Sequence, residues 1–339
     1  MNETQKMNIA VIGAGSWGTA LADLLARKGH DVNQWVFEPE VKAQIEQERE
    51  NKVFLPGVTL SERLRPTNDL AAAVAGKSLV AVVVPSHVMR LTAGKMAAAI
   101  APDAIVVSAA KGIENDTFCL MSDVLEQALP PSLRERIAAL SGPSFAAEVA
   151  QRVPTLVTIA ARDANVAAIA QQAFATSSFR VYTHDDMIGV QLGGSMKNYI
   201  AIAAGMIDGA NLGLNIRAAL ITRGLAEMQR LGVKMGANPH TFSGLSGLGD
   251  LVLTCTGNLS RNHTVGMKIG QGMKLRDVLD GMRMVAEGVK TAHSVYHLSQ
   301  KIGVEMPICE GVYHVLFEDA DFADELNILM TRRLKDELE

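Results

Sequence analysis

Apolar positions along this chain follow two rhythms, and the change from one to the other divides it. In the first half, short apolar runs recur at Asn8–Ile12, Val32–Phe37, Leu79–Val84, Ala104–Ser108, Ile137–Leu140, Thr155–Ala160 and Phe179–Tyr182. Most are separated by stretches with helical spacing, such as Thr19–Lys28, which stops at Gly29, Val88–Ile100 and Thr117–Leu129. Strand and helix in alternation predict a mostly parallel, doubly wound sheet with helices on both faces, an α/β domain of the Rossmann type. From about Thr183 the strand signal stops. Helical spacing follows, as in Ala218–Leu231, Val289–Lys301 and Glu310–Phe317, broken by Gly, Pro and Asn. The pattern predicts a dinucleotide-binding Rossmann-type domain over residues 1–186 and an all-helical substrate and catalytic domain over 187–339.

The stretch from Ile188 to Arg230 reads as two consecutive helices joined at Gly209–Gly213. Gly193, Lys197, Ala201 and Gly205 recur every fourth residue and so share one helix face. That column is small except at Lys197, so backbones or a ligand can approach closely there. The ammonium would be partly desolvated unless an anion meets it. The plain alternative is a lysine whose stem runs past small residues to water.

Composition narrows the partners. A net charge of -4 gives no general attraction for nucleic acid or an anionic membrane, so any anion must be met by a local cluster. Cys119, Cys255 and Cys309 lie far apart without a CxxC pair, which points away from a disulfide framework or zinc knuckle and toward thiols in a reducing compartment. The start lacks the pattern of a signal peptide, and no apolar run reaches the roughly 18 residues of a membrane span. A cytoplasmic protein without stable membrane association is expected. His293 and His297 are one helical turn apart, but without a third ligand they read as packed or solvated histidines, and no metal is expected. The acidic region Glu318–Glu325 and the charged tail Arg332–Glu339 read as solvated surface.

Chemistry enters at Gly13-Ala14-Gly15-Ser16-Trp17-Gly18, a GxGxxG that leaves an apolar strand and opens a helix. Gly13 permits the tight turn, Gly15 lets a pyrophosphate touch the backbone, and Gly18 lets helix and strand pack closely. The cofactor's negative charge then meets the helix N-terminus. About 20 residues on, Glu38 ends the second strand; it can accept bonds from ribose hydroxyls and would repel a 2′-phosphate. Arg27 and Lys28 lie near in sequence, so NAD(H) and NADP(H) both stay open. Three further loops follow strands, where open α/β sheets bind ligands: Val84-Pro85-Ser86, Ala110-Lys111-Gly112 and Ser141-Gly142-Pro143-Ser144. Lys111 is thereby aimed at the crevice, or is a loop lysine of no consequence. In the helical half, Asp250 stands between glycines and an apolar run, and Ser260-Arg261-Asn262 offers a hydroxyl, a guanidinium and an amide fit for phosphate oxygens. The first could equally cap a helix and the second could equally be a turn.

Several blocks carry a resemblance. GAGSWGTALA at 13–22, SGPSFAAE at 141–148, KN at 197–198, the DG..LGLN..AALITRGLAEM pattern at 208–228, GLGDLVLTC at 247–255 and SRN at 260–262 occur in order over nearly the whole chain. They resemble the bacterial NAD(P)-dependent glycerol-3-phosphate dehydrogenase family. The resemblance implies reversible reduction of dihydroxyacetone phosphate to sn-glycerol 3-phosphate, the backbone of phospholipids, in a homodimer. It implies Lys197 as acid/base, substrate contacts at Lys111, Gly142, Ser144, Asp250, Ser260, Arg261 and Asn262, and cofactor contacts at Ser16, Trp17, Lys111, Ala146, Arg261, Val285 and Glu287. Many members carry a basic residue or histidine at the end of the second strand; this chain has Phe37 and Glu38, which argues for NADH. Two rivals share parts of the pattern: a β-hydroxyacid-type dehydrogenase, and a non-catalytic NAD(H) sensor, which has no need of Lys197.

Overall fold

In the computed structural model, residues 6–282, 286–334 and 336–337 are described. Eight strands form one sheet: β1 (Asn8–Ile12), β2 (Asp31–Trp35), β3 (Leu64–Thr67), β4 (Leu79–Val82), β5 (Ile105–Ser108), β6 (Ile137–Ser141), β7 (Thr155–Ala161) and β8 (Phe179–His184). Their order is β3-β2-β1-β4-β5-β6-β7-β8. Every pairing is parallel except β6 with β7. The expected mostly parallel, doubly wound sheet is therefore present. Strands β4, β5 and β6 are buried along their whole length, as sheets covered on both faces require.

One strand departs from the expectation. β3 reads Leu-Arg-Pro-Thr, and its proline and single buried apolar residue give no alternating signal. It is an edge strand pairing only with β2, where a missing N–H is tolerated. Strand order reverses between β1 and β4, and the crevice outside their carboxyl ends is the natural ligand position. Helix α1 (Ser16–Arg27) starts there, directly after the glycine turn, and α2 (Pro39–Glu48) follows β2.

After β8 the chain is helical. Helix α3 (Met187–Gly209) is the axis of this half: all its residues except Ile188 and Asp208 are buried, as befits a helix apolar on every side. Asp186 caps it by accepting from Gly189 N at 2.8 Å. Around it pack α4 (Leu214–Lys234), α5 (Asp250–Thr256), α6 (Arg261–Gly270) and α7 (Glu287–Ile302). The glycine column admits backbone: a Cβ on Gly193 would lie 2.5 Å from Ser246 O, and one on Gly205 would lie 2.1 Å from His263 O. Lys197 lies between those two contacts along the same face, so the column that packs the domain also delivers the lysine.

Candidate active site

Lys197 reaches a carboxylate rather than water. Its ammonium donates to Asp250 Oδ1 and, at 2.9 Å, to Thr254 Oγ1. Lys111 donates to the other oxygen, Asp250 Oδ2, at 2.8 Å, and to Gly142 O at 2.9 Å. Asp250 is wholly buried and Lys197 nearly so. One negative charge thus bridges two cations, and the cluster keeps a surplus positive charge. Burial pushes Lys197 down from the usual lysine range to about 8; Lys111 pushes the same way and Asp250 opposes both. Two of the ammonium's three N–H bonds are engaged, and the third meets no acceptor among the described residues.

Local structure explains why Asp250 is available. A π-helical turn, Leu245–Gly249, feeds directly into α5. Gly249 at the N-cap has no side chain to spend, and Asp250, one residue in, turns its carboxylate to the lysines instead of capping. Thr254, one turn on, donates its hydroxyl to Asp250 O at 2.6 Å, which aims its lone pairs at Lys197. Sequence reasoning passed over Thr254; the one available signal was a hydroxyl four residues after Asp250 inside an apolar run.

The other expected residues divide into those at the cluster and those beside it. Ser144 lies at the cluster, donating to Gly142 O at 2.9 Å and standing 3.5 Å from the Lys111 ammonium. Gly142 has φ +136, and a Cβ there would press on Val157 Cα at 3.0 Å, so glycine is needed to turn its carbonyl toward Lys111. Ser260 caps α6, accepting from His263 N at 3.2 Å, so its oxygen serves the helix. Arg261, the next residue, is exposed. Asn262 is engaged on both sides of its amide, donating to Asn198 Oδ1 at 2.9 Å and accepting from Gly288 N at 3.0 Å. Asn198 in turn donates to Lys111 O at 3.4 Å, tying the start of α7 to the loop that carries Lys111. Glu287 is half-buried at that start; burial raises its carboxyl above the usual range, against the pull of Arg261, Lys111, Lys197 and a hydrogen bond from the Ser86 backbone. Charges distant in sequence are thereby gathered around one carboxyl. Ala146 opens the short helix Ala146–Ala150. Val285 lies outside the described residues.

At the glycine turn the three glycines serve different purposes. Gly13 has φ +118, and a Cβ there would lie 2.7 Å from Val83 O; one on Gly18 would lie 2.3 Å from Gly13 O. Both positions are closed by the protein's own backbone. Gly15, by contrast, has φ -63 and ψ 176, which any residue adopts, and nothing within 4 Å of an added Cβ. Among the described residues nothing demands glycine at 15, which leaves the turn open there. Gly15→Val is expected to melt within a few degrees of the wild type yet lose at least roughly 100-fold in NADH affinity, because the side chain fills the pyrophosphate's approach. Titration by NADH fluorescence beside a melting curve checks this, and wild-type affinity would remove the turn from the cofactor site. Ser16 and Trp17 begin α1, and the buried Trp17 Nε1 meets no hydrogen-bond partner among the described residues. Glu38 stands at the N-cap of α2 without making a capping bond, beside the 72 % exposed Phe37.

His293 and His297 pack at 4.4 Å between ring centroids, among Tyr313 and Phe317. All three cysteines are free thiols; Cys255 is buried, and burial pushes its thiol up to about 12. No helix among the described residues is long and apolar enough to cross a membrane.

A glycine turn opening a helix after the first strand of a mostly parallel sheet, in a chain that also buries a lysine on a carboxylate, fits a nicotinamide-dependent oxidoreductase. Comparison with known proteins makes this particular. Residues 8–167 match the family model for the NAD-dependent glycerol-3-phosphate dehydrogenase N-terminus, and residues 186–327 match that for its C-terminus. The chain is 56% identical over 331 residues to the glycerol-3-phosphate dehydrogenase [NAD(P)+] of Syntrophobacter fumaroxidans, covering 98% of this chain and 97% of that one. It is 57% identical over 329 residues to the enzyme of that name from Citrifermentans bemidjiense, covering 97% and 98%. Among solved structures, the glycerol-3-phosphate dehydrogenase of Coxiella burnetii superposes with a TM-score of 0.92 at 39% identity, covering 96% of this chain and 99% of that chain. The chain belongs to the NAD-dependent glycerol-3-phosphate dehydrogenase family, NAD(P)-dependent oxidoreductases acting on a CH–OH group.

Proposed function

We propose that this protein reversibly reduces dihydroxyacetone phosphate to sn-glycerol 3-phosphate, with Lys197 as the acid/base. The observation that carries the assignment is the Lys197 ammonium: buried, held by Asp250 and Thr254, and left with one N–H to give. A reduced nicotinamide, when bound, would supply the hydride that the substrate's ketone carbon receives. As the C–H bond forms, the carbonyl oxygen gains an electron pair, and Lys197 Nζ passes its proton there. Solvent then reprotonates the amine; in the oxidation direction neutral Lys197 takes the hydroxyl proton. The surplus positive charge on the Lys111-Asp250-Lys197 cluster stabilises the developing alkoxide. With its pKa lowered to about 8 by burial, the amine is still mostly protonated at pH 7 and can release its proton.

Arg261 is assigned to the phosphate, and Lys111, Gly142, Ser144, Lys197, Asp250, Ser260 and Asn262 to the remaining substrate contacts. Arg261 is exposed at the first turn of α6, where N–H donors and a guanidinium converge. Arg261→Ala is expected to raise KM for dihydroxyacetone phosphate about 10- to 100-fold, the worth of a charge-assisted contact. Since this arginine also borders Glu287, NADH affinity is measured separately. An unchanged KM for both ligands would leave Ser260-Arg261-Asn262 as a turn.

The cofactor contacts are assigned to Gly13, Gly15, Ser16, Trp17 and Gly18 at the glycine turn, Glu38 at the adenosine ribose, and Lys111, Ala146, Arg261, Val285 and Glu287 elsewhere on the dinucleotide. Glu38, free of capping duty, favours NADH. Against a 2′-phosphate, each unit charge at ~4 Å costs about 4 kcal/mol at an effective dielectric near 20, before screening. Solvent at this half-exposed edge cuts that to roughly 1 kcal/mol, so Glu38→Ala is expected to move the kcat/KM ratio about fivefold or more toward NADPH. A native preference for NADPH of about tenfold or more would mean that Glu38 does not face the ribose.

We further assign residues 1–186 to the dinucleotide domain and 187–339 to the substrate domain, a homodimeric state and a cytoplasmic location; sedimentation and fractionation test the last two. Purified protein with NADH and dihydroxyacetone phosphate, followed at 340 nm, tests the activity itself. Absence of oxidation with either NADH or NADPH would defeat it.

A further inference from the structure

Beneath the glycine turn, three wholly buried polar side chains converge on two backbone carbonyls. Thr19 comes from α1, Gln34 from β2, and Asn51 from the loop after α2; each is 0% exposed. Asn51 Nδ2 donates to Ala14 O at 2.8 Å and to Thr19 Oγ1 at 2.9 Å. Thr19 Oγ1 donates to the same Ala14 O at 3.2 Å. Gln34 Nε2 donates to Gly13 O at 3.1 Å and lies 3.3 Å from Thr19 Oγ1. Both carbonyls are thereby pulled into the interior.

Their orientation fixes what the turn shows to the crevice. A trans peptide holds C=O and N–H on opposite sides, and the described chain contains no cis bond. With the oxygen of residue 13 held inward, Ala14 N–H points the other way; with that of residue 14 held inward, so does Gly15 N–H. Gly15 is itself exposed and a Cβ added there finds open space, so its N–H lies on the open side of the turn. An anion there meets N–H groups rather than carbonyl oxygens.

Asn51 is itself locked. Its Oδ1 accepts from Phe54 N at 3.0 Å, and its backbone O from Leu55 N at 2.9 Å. The loop of residues 49–60 is closed by Leu60 N donating to Arg49 O at 2.7 Å. A clamp some 37 residues downstream of Ala14 in sequence thus reaches back to the cofactor turn.

We propose that Asn51, with Thr19 and Gln34, is a positioning residue for the dinucleotide: it holds the Gly13 and Ala14 carbonyls inward so that the turn presents N–H donors to the pyrophosphate. This rests on the glycine turn being the pyrophosphate site. The loop after α2 is then part of the cofactor site through hydrogen bonding, without touching the cofactor.

The test titrates NADH and ADP-ribose, which carries the pyrophosphate without nicotinamide, into wild type, Asn51→Leu, Gln34→Met and Gly15→Val. Asn51→Leu keeps side-chain bulk and removes the donors; it is expected to weaken both ligands about tenfold or more. KM for dihydroxyacetone phosphate at saturating NADH should stay within about twofold, a split that general loosening would not produce. Gln34→Met, which leaves the 49–60 loop intact, should weaken both ligands by roughly threefold to tenfold. Affinities within about twofold of wild type in a folded Asn51→Leu, or an equal rise in the KM of both substrates, would overturn the proposal. If Asn51→Leu does not fold, Gln34→Met decides: unchanged ADP-ribose affinity overturns it. Gly15→Val separates the two levels. Loss of binding there with none in the Asn51 and Gln34 variants sinks only this inference, whereas wild-type binding in Gly15→Val sinks the reading of the turn itself.

Discussion

Lys197→Ala is expected to bind NADH as the wild type does and to lose turnover by roughly 10² to 10⁴, the usual worth of a positioned acid/base. The glycine turn lies between β1 and α1 and is untouched, so cofactor affinity has no reason to fall. The fold should survive as well. Removing one cation from a cluster of two lysines and one aspartate leaves Lys111 paired with Asp250 at 2.8 Å, a neutral pair in place of a surplus positive charge. What disappears is the group that gives the proton and half of the field that steadies the alkoxide. Lys197→Met retains the stem's packing and should be as inactive, which separates lost chemistry from a cavity. Stopped-flow single turnovers with bound NADH read the chemical step directly, and near wild-type rates in either variant would remove Lys197 from the role.

Asp250→Asn should be nearly as damaging, by a different route. Its carboxylate is the opposing influence that keeps Lys197 from falling further, and it is the counterion of both lysines. The amide has the same shape but no charge, and one of its two ends must present donors to an ammonium. Leaving buried cations without their partner costs about 3–5 kcal/mol in comparable cases, so a lower melting temperature is expected. Catalytically, the loss of negative charge lowers the pKa of Lys197 below about 8, leaving less of it protonated at neutral pH. Reduction should fall by roughly 10² or more, and its alkaline limb should move to lower pH. A fall in activity with no movement of that limb would mean that Asp250 acts on the substrate alone and does not tune the lysine.

Much of this architecture was legible in the sequence because it is written in local pattern. β1, the glycine turn and α1 follow from an apolar run, three glycines and a helical spacing, and α3 followed by α4 follows from the small column and the Gly-Ala-Asn-Leu-Gly link. Other features are set by partners distant in sequence. β3 exists because β2 offers an edge, and Leu-Arg-Pro-Thr on its own gives little reason for a strand. The antiparallel entry of β7 beside β6 leaves no trace in composition, since buried strands read alike in either direction. Lys111, Lys197 and Asp250 could be named singly, but one carboxylate between two lysines is a fact of three dimensions. Ser260 illustrates the ambiguity of short polar motifs: the oxygen suited to a phosphate caps its own helix. Thr254 and Asn198 act on the lysines only through contacts that bring α5, α3 and the Lys111 loop together.

The most direct measurement is the pH dependence of kcat/KM in both directions, above the range in which the substrate's own phosphate titrates. Reduction of dihydroxyacetone phosphate requires Lys197 protonated, so its rate should be level toward neutrality and fall about tenfold per pH unit above a pKa near 8. Oxidation of sn-glycerol 3-phosphate requires the same amine neutral, so its rate should rise through that pKa and level off above it. Opposite limbs sharing one midpoint are the signature of a single group working as acid one way and base the other. Limbs of the same sign in both directions, or limbs that persist in Lys197→Met, would contradict the assignment.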